Sequence, residues 1–359
     1  MKKLLFLPKA LKRKRLLEIT VFNQTPIVMK SNLIRLAKMP EGIPQADDFK
    51  FETEELRPLK EGDIELRPIF ISVDPYLRVA MAGGHPPAIN VGDIIFSRGI
   101  AEVISSEHKD FKPGDVVMGY MQWRDRMVCN GNDFSVIKEH SLPLSAYLGV
   151  LGSTGLSAYF ALSEIGKPKS GETLVVSGAA GAVGSIAGQI GKIFGCKVIG
   201  ITGSDEKTDF IVSGLGMDAA INYKSNANIG QTLDDLCPEG VDIYFDNVGG
   251  VASDEVISRM NDYGRVVVCG SIDSYNNKEA AVSGLSLLPL IVYKKLLMQG
   301  FLIGDYKQRF PDGRKQLEQW INEGKLHYRE TIMKGFDKLP EAFIGLFSGN
   351  NEGKMLVEV

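Results

Sequence analysis

Along the first 150 residues, apolar positions recur in short alternating runs rather than in helical stripes. Such runs span Phe49–Leu56, Ile64–Val73, Ile94–Ile104 and Val116–Met118, and the turn signals Glu61-Gly62-Asp63 and Lys112-Pro113-Gly114-Asp115 separate them. A period of two punctuated by Gly and Pro predicts strands gathered in a β-rich unit. The pattern changes after Tyr147-Leu148-Gly149: residues 156–165 read as a helix that Gly166-Lys167-Pro168 closes. Apolar strands follow at Thr173–Ser177, Lys197–Ile201, Ala219–Asn222, Asp242–Asp246, Arg265–Cys269 and Leu297–Ile303, with amphipathic segments between most of them. In Ala182–Phe194 the residues Val183, Ile186, Ala187, Ile190 and Phe194 fall on one helical stripe. Six strands with interleaved helices predict an α/β doubly wound parallel sheet. The tail predicts a helix at Arg314–Asn322, a strand at Tyr328–Met333, a helix at Pro340–Phe347 and a strand at Lys354–Val359. This order places a sheet domain, 151–311, between two parts of a β-rich domain, 29–150 and 312–359.

Residues 1–28 stand apart. Lys2-Lys3, Leu4–Leu7, Pro8 and the basic run Lys12–Arg15 make neither a secretory h-region nor a cleavage site. They read as a poorly ordered or mis-started extension, with a basic targeting arm as the alternative. No apolar run reaches the roughly 18–20 residues of a membrane span. Charge nearly cancels, 41 basic against 44 acidic residues, which removes the electrostatic basis for nucleic-acid or acidic-membrane binding. The cysteines, Cys129, Cys196, Cys237 and Cys269, contain no C-x-x-C pair. Neither a disulfide framework nor a structural zinc site is expected, and a cytoplasmic setting is.

The candidate chemistry begins at Ser177-Gly178-Ala179-Ala180-Gly181-Ala182-Val183-Gly184. Glycines at this spacing, between a strand and an amphipathic helix, form the tight turn that brings backbone N–H groups to a dinucleotide pyrophosphate. The second strand should then end in an acid if the cofactor were NAD. It runs instead into Thr202-Gly203-Ser204-Asp205-Glu206-Lys207, where Thr202, Ser204 and Lys207 suit a 2′-phosphate and Ser204-Asp205 suits a helix cap. NADP is therefore favoured. The β-rich half contains Cys129, His85, His108 and His140, but no cysteine precedes His85 and no Glu follows it in Gly83-Gly84-His85-Pro86-Pro87. No metal site is expected, and no hydrolase motif is present.

Four segments resemble the zinc-free branch of the medium-chain dehydrogenase/reductases, and within it the prostaglandin reductase and alkenal double-bond reductase family. They are Ser72–Arg78, Ala179–Ser185, Gly203–Lys207 and Phe245–Gly250. The resemblance spans about residues 30–359. It implies a GroES-like β domain joined to a Rossmann domain, NADPH as cofactor, a homodimer, and reduction of the carbon–carbon double bond of α,β-unsaturated carbonyl compounds. It also implies site residues. Gly181, Ala182, Val183 and Gly184 would hold the pyrophosphate, Lys207 the 2′-phosphate and Tyr223 the adenosine. Asn247 and the loop Cys269, Gly270, Ser271, Ile272, Asp273, Ser274 and Tyr275 would lie toward the nicotinamide. Phe301, Leu302, Ile303 and Asn351 would make further cofactor contacts, and Tyr293 would stand near the nicotinamide ribose as the candidate catalytic group. Tyr76 would shape the substrate pocket. The chain departs from the family at Asp273, where a small or neutral residue is common, and in the short loop Met81–Asn90. A quinone reductase, a metal-free alcohol dehydrogenase and a nucleotide-binding regulatory protein remain the competing readings.

Overall fold

The computed structural model describes residues 29–84, 87–138, 140–276 and 287–359. The extension 1–28 and His85 lie outside them. The chain opens with a ribbon of β1 (Lys30–Leu36) and β2 (Phe49–Glu55), paired antiparallel from Lys30↔Glu55 to Leu36↔Phe49. Then come β3 (Ile64–Ser72), the short helix α1 (Tyr76–Met81), β4 (Phe96–Ser106), β5 (Val116–Gln122), β6 (Met127–Cys129) and β7 (Phe134–Val136). Their inward residues, among them Ile64, Leu66, Ile71, Val103, Val117 and Trp123, form one buried cluster. Trp123 is wholly enclosed because its indole N–H finds an acceptor, the Ser97 hydroxyl at 3.0 Å.

After α2 (Ser153–Ala161) the chain alternates strand and helix: β8 (Thr173–Ser177), α3 (Gly184–Ile193), β9 (Lys197–Thr202), α4 (Asp205–Asp209) and β10 (Ala219–Asn222). The second half follows with α5 (Ile229–Leu236), β11 (Val241–Asp246), α6 (Gly250–Ser258), β12 (Met260–Val268), α7 (Leu287–Lys294) and β13 (Leu297–Gly300). The six strands form one parallel sheet in the order β10-β9-β8-β11-β12-β13. This is the doubly wound dinucleotide-binding order, whose crevice opens beyond the carboxyl ends of β8 and β11. All five residues of β8 are buried, because helices cover both faces of the sheet.

The predicted strand Leu297–Ile303 stops at Gly300. Leu302 accepts the Asp305 amide at 3.0 Å, which turns the chain away from the sheet. Helix α8 (Phe310–Asn322) starts before the expected Arg314, with Pro311 in its first turn, where the missing N–H costs nothing. Its Leu317 and Trp320 pack in the same cluster as Leu156 and Phe160 of α2. The close crossing is possible because a Cβ on Gly313 would meet Leu156 at 2.8 Å. The chain ends with β14 (Glu330–Lys334), α9 (Leu339–Ser348) and β15 (Lys354–Glu358). Strand β15 pairs antiparallel with β3 and parallel with β14, which completes the sheet β14-β15-β3-β4-β5-β7. Leu339, Ala342 and Phe343 of α9 seal the cluster beneath it.

Candidate active site

Two glycines of the turn admit no side chain without strain. Gly178 lies at φ 58°, and a Cβ on Gly184 would stand 2.3 Å from the Gly178 carbonyl oxygen. Gly181 closes the turn by donating its N–H to that carbonyl at 2.9 Å. Helix α3 then begins at Gly184, so the amides of Ala182, Val183 and Gly184 occupy its N-terminal end, where helical N–H groups lack partners within the helix. A segment from the far end of the chain crosses this turn. Gly353 donates to the Ala180 carbonyl at 2.8 Å and bridges Gly181, and the Asn351 side-chain amide donates to the Gly353 carbonyl at 2.9 Å.

At the tip of β9, Ser204 caps α4 by accepting the Lys207 amide at 3.3 Å. Asp205 accepts from the Asn222 side chain at 2.7 Å. The Tyr223 ring lies over Gly203, where a Cβ would meet it at 3.1 Å. Lys207 reaches across to donate its ammonium to the Gly349 carbonyl at 2.8 Å. Burial pulls the pKa of Lys207 below the usual lysine value, the Glu352 charge opposes that pull, and the Lys224 charge adds to it.

At the end of β11, the buried Asp246 organises the crevice floor. Its Oδ1 accepts from the Ser177 and Tyr244 hydroxyls, both at 2.9 Å, and from the Val248 and Gly249 amides, both at 3.0 Å; Oδ2 accepts from Ser253. Asn247 is thereby turned toward β8, and its side chain donates to the Ser177 carbonyl at 2.7 Å. The loop after β12 is pinned to the same corner. Cys269 and Gly270 donate to the Asp246 carbonyl at 2.8 and 3.1 Å, Ile272 to that of Asn247, and Asp273 to that of Val248. Ser274 donates to the Ser271 carbonyl, and the Ser271 amide donates to the Tyr275 hydroxyl at 3.3 Å. Burial pushes the Cys269 thiol up to about 12, and Asp246 adds to the shift. The departure at Asp273 has a local explanation. Its carboxylate lies over Gly250, where a Cβ would meet Oδ2 at 2.5 Å, at the electropositive start of α6.

Phe301 and Ile303 pack toward the α2 cluster, whereas Leu302 is 65% exposed. Tyr76 opens α1 at the end of β3. Burial, Asp74 and Tyr120 raise its hydroxyl well above the usual tyrosine pKa, and the Arg98 charge opposes them. Arg98 lies 4.7 Å from the centroid of the Tyr120 ring. Tyr293 is not brought into the cluster: on α7 it is 78% exposed, beside Leu288 at 75% and Val292 at 68%. Sequence reasoning missed Asp246 as the organiser, together with Arg98, Tyr120, Gly349, Glu352 and Gly353. Asp246 stood inside a quoted motif, but only the tertiary fold brings the others near the site.

The cradle of glycines, the helix N-terminus and Lys207 fit a phosphorylated dinucleotide, and together with the sheet order they define a nucleotide-dependent oxidoreductase. Residues 32–137 match a family described as the N-terminal domain of oxidoreductase, and residues 182–319 one described as zinc-binding dehydrogenase. The chain is 47% identical over 331 residues to a protein named as an NADP-dependent oxidoreductase, YfmJ, of Bacillus subtilis (strain 168), covering 91% of this chain and 97% of that one. It is 38% identical over 331 residues to the NADPH-dependent curcumin reductase of Escherichia coli (strain K12), covering 90% and 95%. The crystal structure of CurA from Vibrio vulnificus in complex with NADPH superposes with a TM-score of 0.86 at 37% identity, covering 91% and 99%. The chain belongs to the zinc-independent medium-chain dehydrogenase/reductases, as an NADP-dependent oxidoreductase of the curcumin and prostaglandin reductase type. Among the described residues, no group of three or more His, Cys, Asp or Glu is placed to hold a metal ion, and no helix is long and apolar enough to cross a membrane.

Proposed function

We propose that this protein reduces the carbon–carbon double bond of α,β-unsaturated aldehydes and ketones without a metal. The observation that carries the reading is the likeness to the curcumin reductase over nearly the whole chain, because curcumin is a conjugated enone. The site chemistry agrees with it. Bound NADPH supplies two electrons and one hydrogen as a hydride to the β-carbon, a proton from solvent or a hydroxyl completes the α-carbon, and the products are the saturated carbonyl compound and NADP⁺. Negative charge then develops on the carbonyl oxygen, so fixed hydrogen-bond donors lower the barrier.

In this reading Gly181 to Gly184 hold the pyrophosphate, while Lys207 and Tyr223 hold the adenosine end. Asn247, the loop 269–275, residues 301–303 and Asn351 hold the rest. Tyr76 keeps its proton and shapes the pocket beside Arg98. Tyr293 serves at the ribose only if its exposed surface is covered. A second copy seated on α7 and the open edge strand β13 would cover it, and a homodimer is the assembly we propose.

The test follows NADPH absorbance with an enal, an enone and a quinone, with EDTA present and NADH in parallel. The proposal requires EDTA-insensitive, NADPH-preferring turnover of the enal or enone to a saturated carbonyl product. Turnover of the quinone alone would assign a quinone reductase instead.

A further inference from the structure

An acid stands beside the lysine assigned to the 2′-phosphate, and its placement is not accidental to the fold. Gly349 ends α9 at φ 75°, and its carbonyl takes the Lys207 ammonium. Three residues later Glu352 is fixed through its backbone: its amide donates to the Thr331 hydroxyl at 3.1 Å, and that hydroxyl donates to its carbonyl at 2.9 Å. Its charge is felt at Lys207. On its other side, the Glu352 carboxylate lies 3.0 Å from the Arg329 guanidinium. Arg329 in turn stacks over the Phe210 ring, 5.1 Å from its centroid, at the end of α4. The guanidinium is thus held across the two halves of the molecule, against the helix that carries Lys207.

Without Arg329, the charges of Lys207 and Glu352 would cancel where a dianionic phosphate must land. We propose that Arg329 is a specificity-determining residue for NADPH over NADH, neutralising Glu352 so that the 2′-phosphate meets net positive charge. The inference rests on the reading of Lys207 as the phosphate lysine. Arg329 need not touch the cofactor, so its effect belongs to the phosphate and not to the rest of the nucleotide.

The experiment measures NADP⁺ and NAD⁺ dissociation constants by calorimetry at low ionic strength. It uses the full chain and the variants Arg329→Met, Glu352→Gln, the double variant and Lys207→Met, with thermal melts reporting folding. Arg329→Met is expected to weaken NADP⁺ about three- to tenfold and leave NAD⁺ within about twofold, an effect that shrinks in high salt. Glu352→Gln should tighten NADP⁺, and the double variant should return to within about twofold of the parent protein because the net charge is restored. Equal loss of both nucleotides in Arg329→Met, or no recovery in the double variant, would show that Arg329 only packs on Phe210 and overturn the proposal. If Lys207→Met abolishes the NADP⁺ preference but Arg329→Met does not, Arg329 alone is wrong. If Lys207→Met changes nothing, the phosphate pocket lies elsewhere and both readings fall.

Discussion

Asp246 shows how one buried carboxylate fixes a binding floor. It gathers two half-buried backbone N–H groups of the turn after β11 and three buried hydroxyls. Removing the acceptor leaves them unsatisfied at roughly 1–3 kcal/mol apiece. Asp246→Ala is therefore expected to destabilise the protein by about 3–5 kcal/mol in urea denaturation. Asp246→Asn keeps one oxygen and should lose about 1–2 kcal/mol, the charge-assisted part. Equal losses for the two would mean that the hydroxyls find water instead. Lys207 gives a pH prediction at the same scale. Burial lowers its pKa, so it sheds its charge at a lower pH than an ordinary lysine, with Glu352 opposing the shift and Lys224 adding to it. Preference for NADP⁺ over NAD⁺ should be full below that pKa and fall as pH rises through it. In Lys207→Arg, whose charge persists, the fall should vanish. A preference that declines identically in both proteins would locate the titration elsewhere.

At the scale of elements, α7 and β13 are the exposed pair. Strand β13 ends the parallel sheet with its outer edge unpaired among the described residues, and α7 shows solvent Leu288, Val292 and Tyr293. Open edges beside apolar surface invite a second chain. Val292→Asp should shift the proposed dimer to monomer in light scattering; a monomeric parent protein would dismiss the pairing. The elements themselves were legible to different degrees. The six parallel strands stood out because both of their faces are buried, which leaves near-continuous runs such as Thr173–Ser177. Strand β1 did not, because its Arg35 is answered by residues distant in sequence, Glu52 and Glu54 across the ribbon and the Gly92 carbonyl. The start of β12 was hidden for another reason: Asn261 and Asp262 lie where the register shifts between the Val241↔Met260 and Ile243↔Arg265 pairs, so no apolar alternation marks them. The glycine turn and Lys207 were readable because their chemistry is local. Gly349, 142 residues from Lys207, was not, and neither was Arg329, whose relevance exists only once α9 and β15 return.

At the scale of the whole molecule, that return ties the two sheets together at the glycine turn. The segment Asn350–Gly353 lies over the glycine turn because Lys354, next in sequence, is anchored in the other sheet. Its ammonium, 3% exposed as a residue, donates to the Val73 and Met355 carbonyls at 2.9 and 2.8 Å and pairs with Asp74 at 2.9 Å. Asp74 stands two residues before Tyr76, so one ion pair positions both the segment over the glycine turn and the start of α1. A buried pair of this kind adds little over an apolar replacement of both partners, but breaking it from one side strands a charge at about 3–5 kcal/mol. Lys354→Met should therefore lower the urea midpoint markedly and weaken NADP⁺ binding together. Adding Asp74→Asn should restore most of the stability, since no charge is then left unpaired. If the double variant recovers its midpoint and its NADP⁺ affinity, the pair serves stability and the strap is held by Gly353 on Ala180. If stability returns while affinity does not, Lys354 itself sets the strap in register over the glycine turn, which is the outcome the geometry favours.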